Sequence, residues 1–473
     1  MRASGQVLRI GKILQWMPRS AFLVLFVTLV VASITCVPAG AAPALRVRPV
    51  RALADLPVRI VASGLAPDQP AEIRATTRDA LGDRWQSSVT CVAGATGTID
   101  LTTCSPSGGT YNVVDGMGLF WSMQPVASQP VLFFEPDAAS TEYDFSLVTK
   151  GRVIATARAQ RVFAAPGVRR IPLTRSVVGT AFQPAGPGKH PAVILVGGSG
   201  GGHPMDALAA LLASRGYETL SLEYFVGATR SVPGVPKDLV DIPIETVQRG
   251  IAWLQRQPSV DPARIGIAGH SRGSELALLS GAYFPQIKAV VALAPSTLVW
   301  PGLNADYAHT YPSWTYRGKP FTVMVSDNAL FGKAYAASTK THKVVVRPAF
   351  EASLRDRAAV KASFIPVERT RGPILFVAGD DDDLWPSTTF AQMGMKRLRD
   401  DRHPYHDEYL HYPNAGHWMF EIYVPLDGRV VLNVPRFPTS FGGTAAGDAR
   451  ASEESWPQIV NFFASALGGP RFR

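Results

Sequence analysis

RIGIAGHSRGSEL, residues 264–276, is the stretch of this sequence that decides the fold. The segment Arg264–Ala268 reads as a strand, Gly269-His270-Ser271-Arg272-Gly273 follows it, and a helix-like pattern begins near Gly273. A serine between a strand and a helix, with glycine on both sides, is typical of a nucleophile elbow, because the turn is sharp and the strand and helix lie too close together for side chains. The stretch predicts an α/β domain in which Ser271 is the candidate nucleophile.

The second half of the chain repeats this alternation of strand and helix from about His190. Apolar runs of strand length and helix-like segments follow one another at Ala192–Val196, Met205–Ser214, Glu218–Tyr224, Ile244–Gln255, Ile265–Ala268, Ser274–Tyr283, Ala289–Ala294 and Ile374–Ala378. Continuously apolar strands that alternate with helices predict a parallel sheet covered on both faces. The rhythm breaks from Ser296 to about Arg371, which predicts an insertion of the kind that carries lids and substrate loops.

A second Gly-x-Ser-x-Gly string, Gly197–Gly201, shows that the pattern alone is weak. Residues 202–204, Gly-His-Pro, follow it instead of a helix, so we expect a flexible loop after the first parallel strand. In an α/β-hydrolase this loop supplies one backbone N–H of the oxyanion hole, and the residue after the nucleophile supplies the other. The expected donors are Gly198, Ser199 or Gly200, together with Arg272. A phosphate-binding loop is the alternative, but the Lys-Ser/Thr ending of a P-loop is missing and the glycine spacing fits a dinucleotide site only loosely.

Four adjacent aspartates follow the apolar run Ile374–Ala378, in GDDDDLWP at residues 379–386. A serine nucleophile needs a base, and the base needs an orienting carboxylate; in this fold they follow in the order Ser, acid, His. The spacings Gly-x-x-Asp and Asp-x-x-x-Pro favour Asp382 as the acid, with Asp381 and Asp383 as alternatives. A calcium loop is another use for clustered acids, but no EF-hand spacing follows.

His417 is the candidate base. It lies in YPNAGHW, residues 412–418, in a loop after the predicted strand Glu408–His411. His270, next to the nucleophile, is expected to pack on the sheet, because its side chain should point away from that of Ser271. Three other histidines match no strong zinc signature, so we expect a solvated surface trio and no metal site. They are His403, His406 and His411.

The composition excludes several classes of protein. The 473 residues are 46% apolar and 18% charged, which is typical of a globular protein and not of a disordered, collagenous or coiled-coil chain. The net charge is +10, but Lys and Arg are scattered and form no run of five or six. We therefore expect no nucleic-acid partner.

The first 41 residues are typical of a secretory signal. Four basic residues and no acid precede the apolar run Ala21–Val31, and small residues stand at Ala39-Gly40-Ala41. We expect cleavage near Ala41, export to the periplasm or out of the cell, and no stable membrane span afterwards. An uncleaved membrane anchor is the alternative, although the run is shorter than the roughly 20 residues of a span.

Removal of the signal leaves two cysteines, Cys91 and Cys104. An even count in an exported protein predicts a disulfide, with two free buried thiols as the alternative. Around them, from Leu45 to about Gln129, short alternating stretches are separated by Gly, Pro and Asp turns, which is a β-sandwich pattern. We therefore expect a signal at residues 1–41, a β-sandwich domain at 42–163 and an α/β-hydrolase domain at 164–473.

The mature chain as a whole resembles the family of acyl-CoA thioesterases and bile acid-CoA:amino acid N-acyltransferases. The strings that carry the resemblance are Ser63–Pro70, Asp115–Met123, Ser363–Arg369, the acid loop through Trp385, and Tyr412–His417. The resemblance implies an N-terminal immunoglobulin-like β-sandwich joined to a C-terminal α/β-hydrolase domain. It also places the family's nucleophile, acid and base at Ser271, Asp382 and His417.

In this family a serine nucleophile accompanies thioester hydrolysis, and a cysteine accompanies transfer to an amino acid. Ser271 therefore implies hydrolysis of a small-molecule acyl thioester, without a cofactor. The predicted export departs from the family, since acyl-CoA is not an expected metabolite outside the cytoplasm. One alternative is accordingly an exported carboxylic-ester hydrolase or an acyltransferase with a non-CoA substrate. The non-enzyme alternative is a catalytically inactive exported binding module.

Overall fold

The structure is a computed structural model that describes most of the chain from residue 42 onward. The described residues are 42–126, 133–137, 139–202, 205–227, 231–304, 309–337, 343–426, 431–432 and 438–472. The predicted signal at residues 1–41 lies outside them, as do residues 203–204 of the glycine-rich loop. No helix in the described ranges has both the length and the apolar character needed to cross a membrane.

Two sheets form the N-terminal part of the chain. Their strands are β1 (Ala44–Arg48), β2 (Arg51–Leu53), β3 (Arg59–Ser63), β4 (Pro70–Arg78), β5 (Arg84–Val92), β6 (Ile99–Asp100), β7 (Gly108–Gly109), β8 (Gln124–Pro125), β9 (Ser140–Thr149) and β10 (Arg152–Val162), with a short helix α1 (Gly118–Trp121). One sheet has the order β1-β3-β6; the other has the order β2-β10-β9-β4-β5-β7, with β8 beside β5.

The strands of these sheets alternate between buried and exposed side chains because each sheet packs through one face. Ile60 of β3 and Ile73 of β4 meet in one hydrophobic core. The strand-rich N-terminal region expected from the sequence is therefore present, and its immunoglobulin-like character stays a prediction. The structure joins Cys91, in β5, to Cys104 in a disulfide.

An eight-stranded sheet forms the C-terminal part. Its strands are β11 (Arg169–Thr174), β12 (Val178–Gln183), β13 (His190–Val196), β14 (Glu218–Leu222), β16 (Val260–His270), β17 (Ile287–Leu293), β20 (Ile374–Gly379) and β21 (Glu408–Tyr412). Their order is β11-β12-β14-β13-β16-β17-β20-β21. The pairs from β14 to β21 are parallel, whereas β11 and β12 are antiparallel to each other and β12 is antiparallel to β14.

Helices cover both faces of this sheet. They are α2 (Asp206–Ser214), α3 (Glu245–Gln255), α4 (Arg272–Tyr283), α8 (Ser387–Asp400) and α9 (Ala445–Leu467). In β17, Val291 packs on the side of α2 and α9, and its neighbour Val290 packs on the side of α3, α4 and α8. Since both kinds of neighbour are buried, the strands are apolar without alternation. The covered parallel sheet predicted from the sequence is confirmed.

The predicted insertion lies between β17 and β20, and its described residues form only short elements. These are β18 (Trp314–Tyr316), β19 (Lys319–Pro320), α5 (Asn328–Ala336), α6 (Arg347–Ser353), α7 (Arg357–Ser363) and a 3₁₀ turn (Val367–Arg369). Outside it, β15 (Ile242–Pro243) pairs with β18, and β22 (Val431–Leu432) pairs with β23 (Thr439–Ser440). Trp300 and Trp385 belong to a small hydrophobic cluster that packs the insertion against the acid loop and α8. A lid function for the insertion stays a prediction.

Candidate active site

Ser271 occupies the sharp turn between β16 and α4. Its backbone has φ 55° and ψ −123°, and residues other than glycine rarely adopt a positive φ. A Cβ at Gly269 would lie 2.0 Å from the carbonyl oxygen of Gly273, and a Cβ at Gly273 would lie 2.3 Å from that of Gly197. Both flanking glycines are therefore required by close backbone contact, as expected for a nucleophile elbow.

The structure brings Ser271 together with one histidine and one aspartate. His417 Nε2 lies 2.9 Å from Ser271 Oγ, and His417 Nδ1 lies 2.8 Å from Asp382 Oδ2. All three side chains are buried. With the Nδ1 proton donated to Asp382, Nε2 is left to accept the hydroxyl proton of Ser271, which is the arrangement that activates a serine.

Backbone donors select Asp382 from its neighbours. Its second oxygen, Oδ1, accepts hydrogen bonds from the N–H groups of Leu384 at 2.9 Å and Trp385 at 3.1 Å, so the carboxylate is held in one orientation. The two alternatives have other positions: Asp381 is exposed, and Asp383 accepts a hydrogen bond from Ser440 Oγ. Of the three candidate acids, Asp382 is thus the one that contacts the imidazole.

The loop that carries His417 is fixed on both sides. The His417 N–H donates to the carbonyl of Phe441 at 2.8 Å, and the Gly416 N–H donates to Oδ1 of Asp448 at 2.7 Å. Asp448 lies in α9 and is fully buried. Burial raises its pKa well above the usual range, and the nearby charge of Asp382 acts in the same direction.

His270 and one member of the predicted histidine trio are held inside the protein by hydrogen bonds. His270 Nε2 lies 3.0 Å from the carbonyl oxygen of His417, and its ring packs on Phe420, so the side chain contacts the loop that carries His417. The expectation of a solvated trio is wrong for His403, whose side chain is buried between Asp407 and the Thr370 carbonyl. No group of three or more His, Cys, Asp and Glu side chains in the described part of the chain is placed to hold a metal ion.

The expected oxyanion donors border the serine. A Cβ at Gly198 would lie 3.1 Å from Ser271 Cβ, so the glycine-rich loop passes directly beside the nucleophile. Arg272 is the first residue of α4, where a backbone N–H has no partner within the helix. Among the residues that the structure describes, the N–H groups of Gly198, Ser199, Gly200 and Arg272 have no hydrogen-bond acceptor. Of these four residues, Gly198 and Arg272 lie directly beside Ser271.

The side chain of Arg272 is turned inward. Its guanidinium donates to the Trp300 carbonyl at 2.8 Å and pairs with Glu275 at 3.2 Å, and both charged groups are buried. Glu275 also accepts a hydrogen bond from the indole N–H of Trp314 at 2.8 Å. Burial raises the pKa of Glu275 to about 7 even though Arg272 opposes the shift. Arg272 can therefore offer the site its backbone N–H and not its charge.

The N-terminal region also reaches this site, which the sequence did not indicate. Phe133 stacks on Trp418, the residue after His417, with ring centroids 5.1 Å apart. The ring of Phe441 belongs to the same stack, with its centroid 6.4 Å from that of Phe133. The carbonyl of Phe441 accepts the hydrogen bond from the His417 N–H. The aromatic surface next to the imidazole is thus built by both parts of the chain.

Comparisons with known proteins identify the family of this chain. Residues 242–469 match the family model described as the BAAT and acyl-CoA thioester hydrolase C terminus, and residues 55–175 match that of the N-terminal region. The mitochondrial acyl-coenzyme A thioesterase 2 of Homo sapiens is 30% identical, over 99% of this chain and 94% of that protein. The chain belongs to the acyl-CoA thioester hydrolase/BAAT family. A further member, the peroxisomal succinyl-coenzyme A thioesterase of Mus musculus, is 28% identical over 89% of this chain and 95% of that protein.

Solved structures similar to this member of the family include hydrolases. A putative dienelactone hydrolase from Klebsiella pneumoniae aligns with 63% of this chain and 98% of its own length, at 16% identity and a TM-score of 0.39. An acylaminoacyl peptidase from Pyrococcus horikoshii aligns with 89% of this chain and 60% of its own, at 13% identity and a TM-score of 0.39.

Proposed function

We propose that this protein is a serine hydrolase that cleaves acyl thioesters to a free acid and a thiol through Ser271, His417 and Asp382. The observation that carries the proposal is the chain of two hydrogen bonds, 2.9 Å and 2.8 Å long, that links the hydroxyl through the imidazole to the carboxylate. Membership of a thioester hydrolase family supports the choice of thioester over other acyl substrates.

In the first half of the reaction, Ser271 Oγ attacks the acyl carbonyl carbon while His417 Nε2 takes the hydroxyl proton. Asp382 holds the imidazole in the required tautomer and stabilises the imidazolium. The carbonyl oxygen becomes an oxyanion, which the N–H of Arg272 and an N–H of the loop Gly198–Gly200 stabilise. The carbon–sulfur bond then breaks and leaves an acyl group on Ser271.

The leaving group needs little help. An aliphatic thiol has a pKa near that of cysteine, about 8.5, so it departs as a thiolate more easily than an amine does, and the proton on His417 can follow it. A water molecule then attacks the acyl-enzyme, His417 takes a proton from the water, and the collapse of the second tetrahedral species returns the proton to Ser271 and releases the acid. One imidazole thus serves both halves of the reaction.

A second candidate substrate class follows from the predicted signal at residues 1–41 and the disulfide between Cys91 and Cys104. Both are features of exported proteins, and acyl-CoA is not expected outside the cytoplasm. In that compartment the same three residues would cleave a carboxylic ester or transfer its acyl group to an acceptor other than water. Amino-terminal sequencing of the mature protein tests the export, since a new terminus near Ala42 is expected.

The activity is tested with purified mature protein and its Ser271→Ala variant. Palmitoyl-CoA, a short acyl-CoA and p-nitrophenyl esters are compared. A thiol reagent follows CoA release, absorbance follows p-nitrophenol release, and mass spectrometry identifies the acyl product formed with and without glycine. Thioester turnover that Ser271→Ala abolishes and glycine does not divert supports the proposal. Preferential ester turnover would favour the second candidate, and no turnover of any substrate would favour an inactive binding module.

A further inference from the structure

A buried tyrosine outside the three proposed catalytic residues contacts the glycine-rich loop. Tyr224 follows β14 by two residues, and its side chain is 1% exposed. Its hydroxyl donates toward two consecutive backbone carbonyls, that of Gly197 at 2.7 Å and that of Gly198 at 3.2 Å. The reaction as derived above makes no use of this residue.

These two contacts fix the direction of two peptide groups. In a planar trans peptide, the carbonyl of one residue and the N–H of the next point in opposite directions. Because the carbonyls of Gly197 and Gly198 face the Tyr224 hydroxyl, the N–H groups of Gly198 and Ser199 face away from it. These N–H groups belong to the loop that borders Ser271, and neither has an acceptor among the described residues.

The tyrosine itself is held in place by its surroundings. Its ring packs on Trp314 with centroids 5.6 Å apart and on Phe225 at 5.0 Å. Trp314 donates to Glu275, which pairs with Arg272, the residue that supplies the second expected donor. Trp314 and Glu275 therefore connect Tyr224, on the loop side of the expected oxyanion hole, to Arg272 on the other side.

We propose that Tyr224 is a positioning residue whose hydroxyl aims the N–H groups of Gly198 and Ser199 at the oxyanion formed on the acyl carbonyl. This inference rests on the proposed function and deepens it, because it assigns the loop side of the oxyanion hole to a third structural element, the end of β14. The hydroxyl acts through the backbone and does not touch the substrate.

The chain offers a matched control at the other end of the same strand. Tyr217 precedes β14, is fully buried, and donates its hydroxyl to the Pro470 carbonyl at 3.0 Å, far along the chain from the site residues. Tyr217→Phe and Tyr224→Phe thus each remove one buried hydroxyl that serves a backbone carbonyl. Only the second removal affects the glycine-rich loop.

The experiment compares both variants with wild type in kcat, KM and affinity for an acyl boronic acid or trifluoromethyl ketone, which mimic the tetrahedral species. Loss of a direct oxyanion donor costs about 10²–10³ in kcat, so misdirection of the loop should cost Tyr224→Phe about 10- to 100-fold. The affinity of the mimic should fall by the same factor while KM stays constant, since the contact is made only in the transition state. Tyr217→Phe should match wild type.

A kcat and mimic affinity for Tyr224→Phe equal to those of Tyr217→Phe would overturn the proposal. So would a Tyr224→Phe variant that does not fold beside a folded Tyr217→Phe, since the hydroxyl would then serve the core and not the loop. Ser271→Ala separates this failure from failure of the proposed function. Full activity of Ser271→Ala would contradict the proposed function. An inactive Ser271→Ala together with wild-type kcat and mimic affinity in Tyr224→Phe would contradict only the role of Tyr224.

Discussion

The Nδ1 atom of His417 lies 2.8 Å from Oδ2 of Asp382, although 35 positions separate the two residues in the sequence. The parallel sheet explains the contact, because β20 and β21 are adjacent and each leads into one of the two loops. Oδ1 of the same carboxylate is already bound to the backbone N–H groups of Leu384 and Trp385. The imidazole is therefore oriented by a carboxylate that is itself fixed.

Asp382→Asn should lower kcat by a factor of about 10³–10⁴, because the amide places a donor where the imidazole N–H needs an acceptor and the wrong tautomer results. Asp381→Asn is the control, since Asp381 is the exposed neighbour and should keep wild-type turnover. Steady-state kinetics on one acyl-CoA measures both variants. Equal turnover in the two would show that Asp382 does not orient the base.

Asp448 should act as a neutral acceptor for the Gly416 N–H, next to His417. Asp448→Asn keeps the acceptor oxygen and should retain most of the activity. Asp448→Ala leaves a buried N–H without a partner, which costs about 1–3 kcal/mol of stability and loosens the base. Activity and urea unfolding of the two variants test this, and an Asn variant as impaired as the Ala variant would contradict it.

The raised pKa of Asp448 also predicts a pH dependence. A carboxyl whose pKa is higher in the folded than in the unfolded protein adds stability that is complete below the unfolded pKa, near 3.8, and is lost as the pH rises through the folded pKa. Asn cannot titrate. The free energy of unfolding of Asp448→Asn relative to wild type should therefore improve steadily above about pH 4. A difference independent of pH between 4 and 8 would show that the carboxyl has an ordinary pKa.

The sequence indicated the candidate site most clearly where one local pattern held the information. The elbow around Ser271 was visible because the strand, the two glycines and the helix are consecutive. Asp382 could be favoured but not separated from Asp381 and Asp383, because neighbouring acids share one composition and only backbone contacts distinguish them. The motif of the acid loop therefore predicts where the turn lies, but it does not identify which aspartate contacts the imidazole.

Contacts between distant segments could not be predicted. Tyr224 lies 26 positions from Gly198 and carries no motif, and Asp448 lies on a helix whose polar residues suggest a solvent face. The histidine trio matches no strong zinc signature, which favours solvated side chains, yet Asp407 and the Thr370 carbonyl hold His403 inside. In each case a hydrogen-bond partner permits the burial. Gly198, Gly416 and Thr370 lie 26, 32 and 33 positions from Tyr224, Asp448 and His403, whereas Asp407 lies four positions from His403.

A buried ion pair joins the two parts of the chain. Arg215, just after α2, donates from Nε to Asp55 at 2.9 Å, and Asp55 also accepts from the indole of Trp456 in α9. Arg215→Met should lower the free energy of unfolding by about 3–5 kcal/mol, because it leaves the Asp55 carboxylate buried without its cation. Arg74→Met, at the exposed pair with Glu72, should cost about 0–1 kcal/mol. Equal unfolding curves for both variants would show that the buried pair of Arg215 and Asp55 does not stabilise the contact between the two parts.

The disulfide should stabilise the N-terminal sheets without affecting catalysis. It closes a loop with a sequence separation of 13 between Cys91 and Cys104. By the chain-entropy estimate, the Cys91→Ser/Cys104→Ser double variant should lose about 3 kcal/mol of unfolding free energy. Wild type measured in reductant should coincide with the double variant, and kcat at a temperature where all forms are folded should be unchanged. Different unfolding free energies for reduced wild type and the double variant would show that the serine substitutions change stability by more than the loss of the cross-link.

Covalent labelling of the folded mature protein with a fluorophosphonate tests the central claim most directly, because the reagent modifies only a serine whose hydroxyl is activated by a base. We predict one adduct per chain, mapped by peptide mass spectrometry to Ser271, abolished by Ser271→Ala and strongly slowed by His417→Ala. An adduct on Ser199, or a folded protein that takes up no reagent, would contradict the account.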